Sequence, residues 1–139
     1  MLTHVEFCSD SFAPYPGEEE DMNPGRWGKK ISEFIYEGLK AQGFNLAEPT
    51  PEDWGWKIDV QNDLFPIWIG CGNYDEYPNG FLCFIEPSQP FVRKFILQKI
   101  NTEADVQRVQ KAMDLVLSNE PSITGIRWQT ASEFNEFPK

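Results

Sequence analysis

Three apolar runs follow one another in the middle of the chain with no helical pattern between them. They span residues 54–61, 66–71 and 81–86. In the first run, alternate positions carry the apolar residues Trp54, Trp56, Ile58 and Val60, which would share one face. This period of two is typical of β-strands, and strands joined without a helix pair in antiparallel fashion. The other two runs are nearly continuous, which predicts strands that are either covered on both faces or central in the sheet.

Two helices are expected to pack on this sheet. Residues 24–42 carry apolar residues at helical spacing, namely Trp27, Ile31, Phe34, Ile35 and Leu39. A second stripe consists of Val106, Val109, Met113, Val116 and Leu117. Asn23-Pro24 is typical of a helix start and Gly43 of a left-handed helix stop. Gly38 falls on the first stripe, which predicts a close approach between that helix and the sheet.

A strand at residues 2–9 and another at 123–129 complete the element order β-α-β-β-β-α-β. Residues 45–53 are interpreted as a linker, and residues 91–100 fit either a short helix or a strand. The order predicts one α+β domain over residues 1–139, a mostly antiparallel sheet of about five strands covered by two main helices. A chain of 139 residues can bury a normal core without disulfide or metal.

Acidic residues dominate the charge and are unevenly distributed. The net charge is −10. Residues 1–22 contain six acids and no Lys or Arg, whereas residues 48–86 contain eight acids and a single base, Lys57. If these two stretches meet in space, one face carries a strong negative field. Such a field repels nucleic acid and membrane surfaces and attracts a basic partner.

The cysteines and the N-terminal residues bear on the cellular compartment. Cys8, Cys71 and Cys83 are odd in number and lie in apolar, strand-like runs, where a free cysteine acts as a small hydrophobic residue. Reduced thiols suit the cytoplasm. The first residues contain no basic segment followed by a long apolar run, so we expect a soluble cytoplasmic protein.

No familiar catalytic or metal-binding pattern is present. His4 and Cys8 are separated by ~13 Å of strand, too far to form a dyad. The run Glu18–Asp21 lacks the alternating ligands of a calcium loop and is interpreted as part of an acidic loop. Gly70-Cys71-Gly72 is followed by neither a third glycine nor a helix, so it predicts a bulge or bend rather than a phosphate loop. We therefore expect no cofactor and no catalytic activity.

Three segments carry a resemblance to small bacterial proteins that are poorly characterised. They are Asn23-Pro24-Gly25-Arg26-Trp27-Gly28, Glu52-Asp53-Trp54-Gly55-Trp56 and Trp68-Ile69-Gly70-Cys71-Gly72-Asn73. In size, acidity, aromatic content and α+β order the chain resembles, as a class, the immunity proteins that bacteria pair with secreted toxins. This resemblance implies a binding role and transfers no individual site residue.

The leading hypothesis is a non-catalytic inhibitor that covers a basic protein, such as a cognate toxin, with an acidic face. The acids expected there are Glu18, Glu19, Glu20, Asp21, Glu52, Asp53, Asp75 and Glu76. The aromatic residues expected beside them are Tyr15, Tyr74 and Tyr77. A second hypothesis is a hydrolase-like enzyme that uses the Glu52/Asp53 carboxylates with Trp54 and Trp56 as a binding wall. A third is a phage-type inhibitor that mimics nucleic acid, and a homo-oligomer remains open.

Overall fold

Antiparallel pairing joins the meander to the first and last strands. The computed structural model describes residues 1–136. Its strands are β1 (Leu2–Cys8), β2 (Thr50–Glu52), β3 (Gly55–Val60), β4 (Ile67–Asn73), β5 (Gly80–Glu86), β6 (Phe91–Lys94), β7 (Gln98–Asn101) and β8 (Thr124–Thr130). Its helices are α1 (Glu18–Asp21), α2 (Lys29–Ala41), α3 (Glu103–Ser118) and α4 (Ala131–Glu136). The main sheet has the order β2-β3-β4-β5-β1-β8, which confirms the α+β class.

The core lies between one face of this sheet and helices α2 and α3. α2 packs on β3 and β4, and α3 packs on β1 and β5. The helical residues buried there are Ile31, Ile35, Leu39, Val106, Val109, Met113 and Leu117. The strand residues that meet them include Val5, Ile58, Ile69, Cys71, Cys83 and Ile85. Both predicted apolar stripes therefore face the sheet, because their helical spacing matches the side on which the sheet lies.

The first long helix begins later than its sequence signals indicate. Asn23-Pro24 does not start α2, since Gly25 has a positive φ of 77° and the helix begins at Lys29. The backbone N–H groups of Gly28 and Lys29 donate to the carboxylate of Glu18, at 2.9 and 3.0 Å. Glu18 in turn belongs to α1, a single helical turn where the sequence predicts a loop.

Gly38 serves a helix–helix contact rather than the predicted helix–sheet contact. A Cβ atom at this position would lie 2.7 Å from both methyl groups of Val116 on α3. The absent side chain therefore lets α2 and α3 approach each other closely. Gly43 ends α2 as predicted, with a φ of 96° and a hydrogen bond of 3.2 Å from the Phe44 N–H to the Leu39 carbonyl.

Strands form in the segment predicted to be a linker and in the segment predicted to be either a helix or a strand. The expected linker contains β2, which pairs with β3, and a bridge between Leu46 and Val60. The ambiguous residues 91–100 form most of a separate β-hairpin, in which β6 pairs with β7. We call residues 91–101 the hairpin arm. Within the described residues, no helix is long and apolar enough to cross a lipid bilayer.

The second face of the main sheet is only partly covered. The short α4 contacts β1 and β8. Helices α2 and α3 both pack on the opposite face, so neither of them covers β3, β4 and β5 on that side. The nearly continuous apolar runs of β4 and β5 predict strands that are covered on both faces or central in the sheet, and the structure shows the second alternative, since β4 and β5 are the two middle strands. Large apolar side chains are consequently left accessible there.

Candidate binding site

Aromatic side chains form a continuous surface on the uncovered face of the sheet. The rings of Trp54, Trp68 and Phe84 contact one another, with centroid separations of 5.7 Å (Trp54–Trp68), 5.4 Å (Trp54–Phe84) and 5.5 Å (Trp68–Phe84). Leu82 extends the surface towards β1. We call these four residues the aromatic groove. Trp54 is 38% exposed, so the groove is open to a partner.

Gly70 allows the rings to lie directly over strand β4. A Cβ atom there would come within 2.4 Å of Phe84 Cζ and 2.9 Å of Trp54 Cη2. The pairing of β4 with β5 runs without a shift from Trp68 to Asn73, so of the predicted bulge or bend at Gly70 and Gly72 the bulge is absent. The glycine instead provides the space that seats two aromatic rings on the backbone.

One end of the groove carries exposed acids. A cavity of about 460 Å³ is lined by Arg26, Trp54, Trp68, Gly72, Asn73, Tyr74, Asp75, Glu76, Leu82 and Phe84. The buried Asn73 side chain fixes this end. It accepts from the Trp27 N–H at 3.1 Å and donates to the Gly25 carbonyl at 2.9 Å and to Asp75 at 3.2 Å. Asp75 and Glu76 are exposed beside the cavity, and we call this pair the acidic rim.

Tyr77 ties the loop after β4 to the first strand. Its hydroxyl donates to the buried Glu6 carboxylate at 3.1 Å, and Arg127 Nε approaches the same oxygen at 3.0 Å. The hydrogen bond to Glu6 raises the pKa of Tyr77 above its ordinary value. Burial is the main cause that raises the pKa of the neighbouring Tyr74. Tyr77 therefore positions the loop, whereas Tyr74 lines the cavity.

Glu18 does not lie on an exposed acidic face, contrary to expectation. Its side chain is only 5% exposed. Besides the two N–H groups of α2, the carboxylate accepts from the Tyr15 N–H at 3.0 Å and from Trp56 Nε1 at 2.9 Å. A carboxylate that accepts four hydrogen bonds inside the protein is a structural anchor. The other acids of the run are half-buried (Glu19) or exposed (Glu20 and Asp21).

Tyr15 lies apart from the aromatic groove. Its hydroxyl donates to Glu33 of α2 at 2.5 Å, and this hydrogen bond is the main cause that raises its pKa. The ammonium groups of Lys29 and Lys30 lie 5.4 and 5.0 Å from the ring centroid. These contacts hold Tyr15 against α2, on the helix-covered side of the sheet.

The two acidic stretches meet along residues 23–27. Asn23 Nδ2 donates to the Asp53 carbonyl at 2.6 Å, and Asn73 Nδ2 donates to the Gly25 carbonyl. This segment therefore connects the one-turn helix α1, the β2–β3 turn and the loop after β4. The exposed acids of these three segments are Glu20, Asp21, Glu52, Asp53, Asp75 and Glu76, of which Asp75 and Glu76 line the groove cavity. Arg26 is an exposed base within the same region.

Trp54 and Trp56 cannot form one binding wall, because they lie on opposite sides of the sheet. Trp54 belongs to the β2–β3 turn and packs on Phe84, on the uncovered face. Trp56 is paired with Cys71 on the helix-covered face and hydrogen-bonds to Glu18. The predicted strand 54–61 begins at Gly55, and only Trp56 and the residues after it alternate as expected.

The sheet also separates two of the three thiols from the imidazole. Cys71 and Cys83 lie directly opposite each other, fully buried under the helices. His4 lies on the other face, stacked on Phe84 at 5.6 Å and on Phe134 at 4.9 Å. Within residues 1–136, no group of three His, Cys, Asp or Glu side chains is arranged to hold a metal ion.

The three thiols are expected to differ sharply in reactivity. Cys8 is half-buried, whereas Cys71 and Cys83 are inaccessible, and burial raises the pKa of Cys83 well above its ordinary value. Because the thiolate is the reactive form, a thiol reagent should modify Cys8 in the native protein and the other two only after unfolding. Mass spectrometry of alkylated native and urea-treated protein measures this. Rapid native labelling of Cys71 or Cys83 would contradict the packing.

Sequence reasoning missed the central residues of the groove, Trp68, Leu82 and Phe84, as well as Arg26. The available signal was the pair of continuous apolar runs combined with only two long helices. Two helices that pack side by side cover one face of the sheet, so the apolar residues of the other face must face a partner or solvent. No protein-family model, no curated protein and no solved structure matches this chain.

Proposed function

We propose that this chain is a non-catalytic binding protein, an immunity protein that neutralises a basic bacterial toxin by covering part of its surface. The observation that carries the proposal is the aromatic groove with the acidic rim at its end. The partner would place an apolar segment over Trp54, Trp68 and Phe84 and basic residues beside Asp75 and Glu76. Inhibition would result from occlusion of the partner's own functional surface.

The composition of the groove supports protein binding. Exposed apolar surfaces that are rimmed by polar residues are typical of protein–protein contact sites. Tryptophan and tyrosine supply much of the binding energy at such sites, because they bury a large area at a small cost in side-chain entropy. Here Trp54, Trp68 and Tyr74 lie in one cavity. Because Gly70 has no side chain, the rings of Phe84 and Trp54 lie directly on the sheet, and a protruding segment of a partner can lie on them.

The distribution of charge supports a basic partner. Asp75 and Glu76 line the cavity of the groove, and residues 23–27 connect this end to α1 and to the β2–β3 turn, which carry further exposed acids. Such a concentration of charge accelerates the association of a basic protein, an effect that salt weakens. The separation of His4 from Cys71 and Cys83 by the sheet supports a role without nucleophilic catalysis.

A charge reversal at the rim tests the proposal. Asp75→Lys with Glu76→Lys should lower the association rate with the toxin by about tenfold or more at low salt, because electrostatic steering is lost. The partner is first captured on immobilised wild-type protein from bacterial extract and identified. The purified partner is then measured by surface plasmon resonance at several salt concentrations, and its toxicity is assayed with and without each variant.

A matched control separates local from global charge. Glu37→Lys with Glu103→Lys makes the same change in net charge at exposed positions on α2 and α3. This control should bind and protect nearly as well as wild type. Equal loss of binding in both double variants would contradict a site at the rim. A partner that is neutralised equally well by the Asp75/Glu76 variant would contradict the proposed mechanism.

A further inference from the structure

The hairpin arm ends in three apolar residues that project into solvent. Phe95, Ile96 and Leu97 are 82%, 86% and 93% exposed. The base of the arm is well anchored, since Val92 and Ile100 pack against the core and the Thr102 N–H donates to the Pro90 carbonyl at 3.0 Å. The arm thus holds an apolar tip away from the body of the protein.

The residues at the tip are not those that a turn selects. Hairpin loops favour Gly, Asn and Asp, which adopt a positive φ at little cost. Phe95 has a φ of 60°, an uncommon conformation for a large side chain. Local turn preferences therefore do not explain Phe95, Ile96 and Leu97. A conflict between local preference and observed structure is typical of functional positions.

The strands of the arm are basic in an otherwise acidic protein. Arg93 and Lys99 lie directly opposite each other across the two strands, and Lys94 follows at the next pair. Like charges in opposed positions destabilise a pair of strands. Among the described residues, no carboxylate lies within ion-pair distance of these three bases. Lys99 Nζ lies 4.5 Å from the Phe91 ring centroid and Arg93 donates to the Ile96 carbonyl at 3.3 Å, so the arm combines an apolar tip with positive charge that no carboxylate neutralises.

The matching surface is present on the same molecule. Trp68 lines the cavity of the aromatic groove and also a second cavity of about 380 Å³ beside Val92, Arg93 and Lys94. The arm and the acidic rim therefore lie at opposite ends of one surface, separated by roughly 17 Å along β4. The apolar tip of the arm matches the apolar groove, and the basic strands of the arm match the acidic rim.

We propose that the hairpin arm docks into the aromatic groove of a second copy of this chain. A two-fold axis that crosses the groove brings the arm of each copy to the acidic rim of the other, so both contacts form at once. Phe95, Ile96 and Leu97 then cover Trp54 and Phe84, and Arg93 and Lys99 face Asp75 and Glu76. The inference rests on the proposed function only in taking the groove as a protein-binding surface. Self-association would shield the groove until the toxin displaces the arm of the second copy.

Sedimentation velocity over a range of protein concentrations tests the docking. The wild type should dimerise reversibly, more weakly at high salt. The triple variant Phe95→Ser, Ile96→Ser, Leu97→Ser should raise the dimer dissociation constant at least about tenfold. Leu115→Ser is the control, because Leu115 is 52% exposed on α3, outside both surfaces. A wild type that stays monomeric at all concentrations, or a dimer unaffected by the triple variant, would overturn the proposal.

Charge exchange tests which surface the arm meets. Asp75→Lys with Glu76→Lys should abolish the dimer, and adding Arg93→Glu with Lys99→Glu in the same chain should restore it. A mixture of the triple tip variant with the Asp75/Glu76 variant retains one intact contact and should form a heterodimer. Thermal denaturation verifies that each variant folds. Failure of both the restoration and the heterodimer would overturn the arrangement.

Two further measurements separate this proposal from its alternatives. Vesicles containing phosphatidylserine should not bind the wild type, and tip-dependent binding to them by a monomeric protein would overturn docking in favour of a lipid surface. The tip variant should bind the toxin as the wild type does, whereas the Asp75/Glu76 variant should associate with the toxin more slowly and should not dimerise. Dimerisation without any toxin binding would contradict the proposed function while leaving the docking intact.

Discussion

Replacing Glu18 with alanine is expected to lower the free energy of unfolding by about 3–5 kcal/mol. The buried carboxylate accepts hydrogen bonds from the backbone N–H groups of Tyr15, Gly28 and Lys29 and from the Trp56 indole. Alanine leaves these donors without a protein acceptor, two of them at the start of α2, where helix N–H groups have no partner within the helix. Urea denaturation followed by circular dichroism measures the loss.

Glu20→Ala is the matched control, because Glu20 lies in the same helical turn and is exposed. It should change the free energy of unfolding by less than about 0.5 kcal/mol. Glu18→Gln keeps the shape of the side chain but replaces one acceptor oxygen with a donor. Its free energy of unfolding should therefore lie between those of Glu18→Ala and Glu20→Ala. If Glu18→Ala and Glu20→Ala were equally stable, Glu18 would not anchor α2.

The sequence of the acidic run does not reveal which of its residues is buried. Residues 18–21 are four consecutive acids, and composition gives each the same expected role. In a helical turn successive side chains point in different directions, so only one of them faces inward. One of the four donors to Glu18 is the indole of Trp56, which is 38 residues away in sequence. No local pattern contains that information.

The hydrophobic pattern of the strands predicts the fold class better than it predicts which face of the sheet is covered. Alternation and continuous apolar runs predicted the antiparallel meander, and the stripes of α2 and α3 predicted the buried helix faces. The same runs fit either coverage on both faces or a central position, because hydrophobicity does not reveal whether a helix or another protein meets the second face. The side chains of Trp68 and Phe84 lie on the uncovered face, whereas α2 and α3 pack on the other face.

The hairpin arm shows a different limit. Residues 91–100 carry no turn residue between their strands, since positions 95–97 are Phe, Ile and Leu. Turn chemistry is the strongest short-range signal for a hairpin, and without it a strand pair and a short helix look alike. The signal is missing because this turn carries the large apolar side chains that the proposed docking requires.

Removing the carboxylate of Glu6 is expected to free the loop that carries the acidic rim. Glu6 is 5% exposed and holds both Tyr77 and Arg127 on the uncovered face. Glu6→Ala should lower the free energy of unfolding by about 2 kcal/mol at neutral pH, because it deletes a buried, charge-assisted hydrogen bond and leaves a small cavity. It should also bring the pKa of Tyr77 down towards its ordinary value, since the hydrogen bond to Glu6 is the main cause that raises it.

The sign of the pH dependence follows from that shift. A tyrosine whose pKa is raised on folding stabilises the protein fully below its unfolded pKa of about 10, and this contribution disappears as the pH rises through the folded pKa. The wild type should therefore lose stability above about pH 10 more steeply than Glu6→Ala, and the difference between their free energies of unfolding should narrow.

Tyr77→Phe is the control: it keeps Glu6 and Arg127 paired but removes the ionisation. Urea denaturation across alkaline pH, with ultraviolet titration of the tyrosines, measures both effects. An unchanged titration in Glu6→Ala would mean that Glu6 does not hold Tyr77, and that the acidic rim is fixed by Asn73 alone.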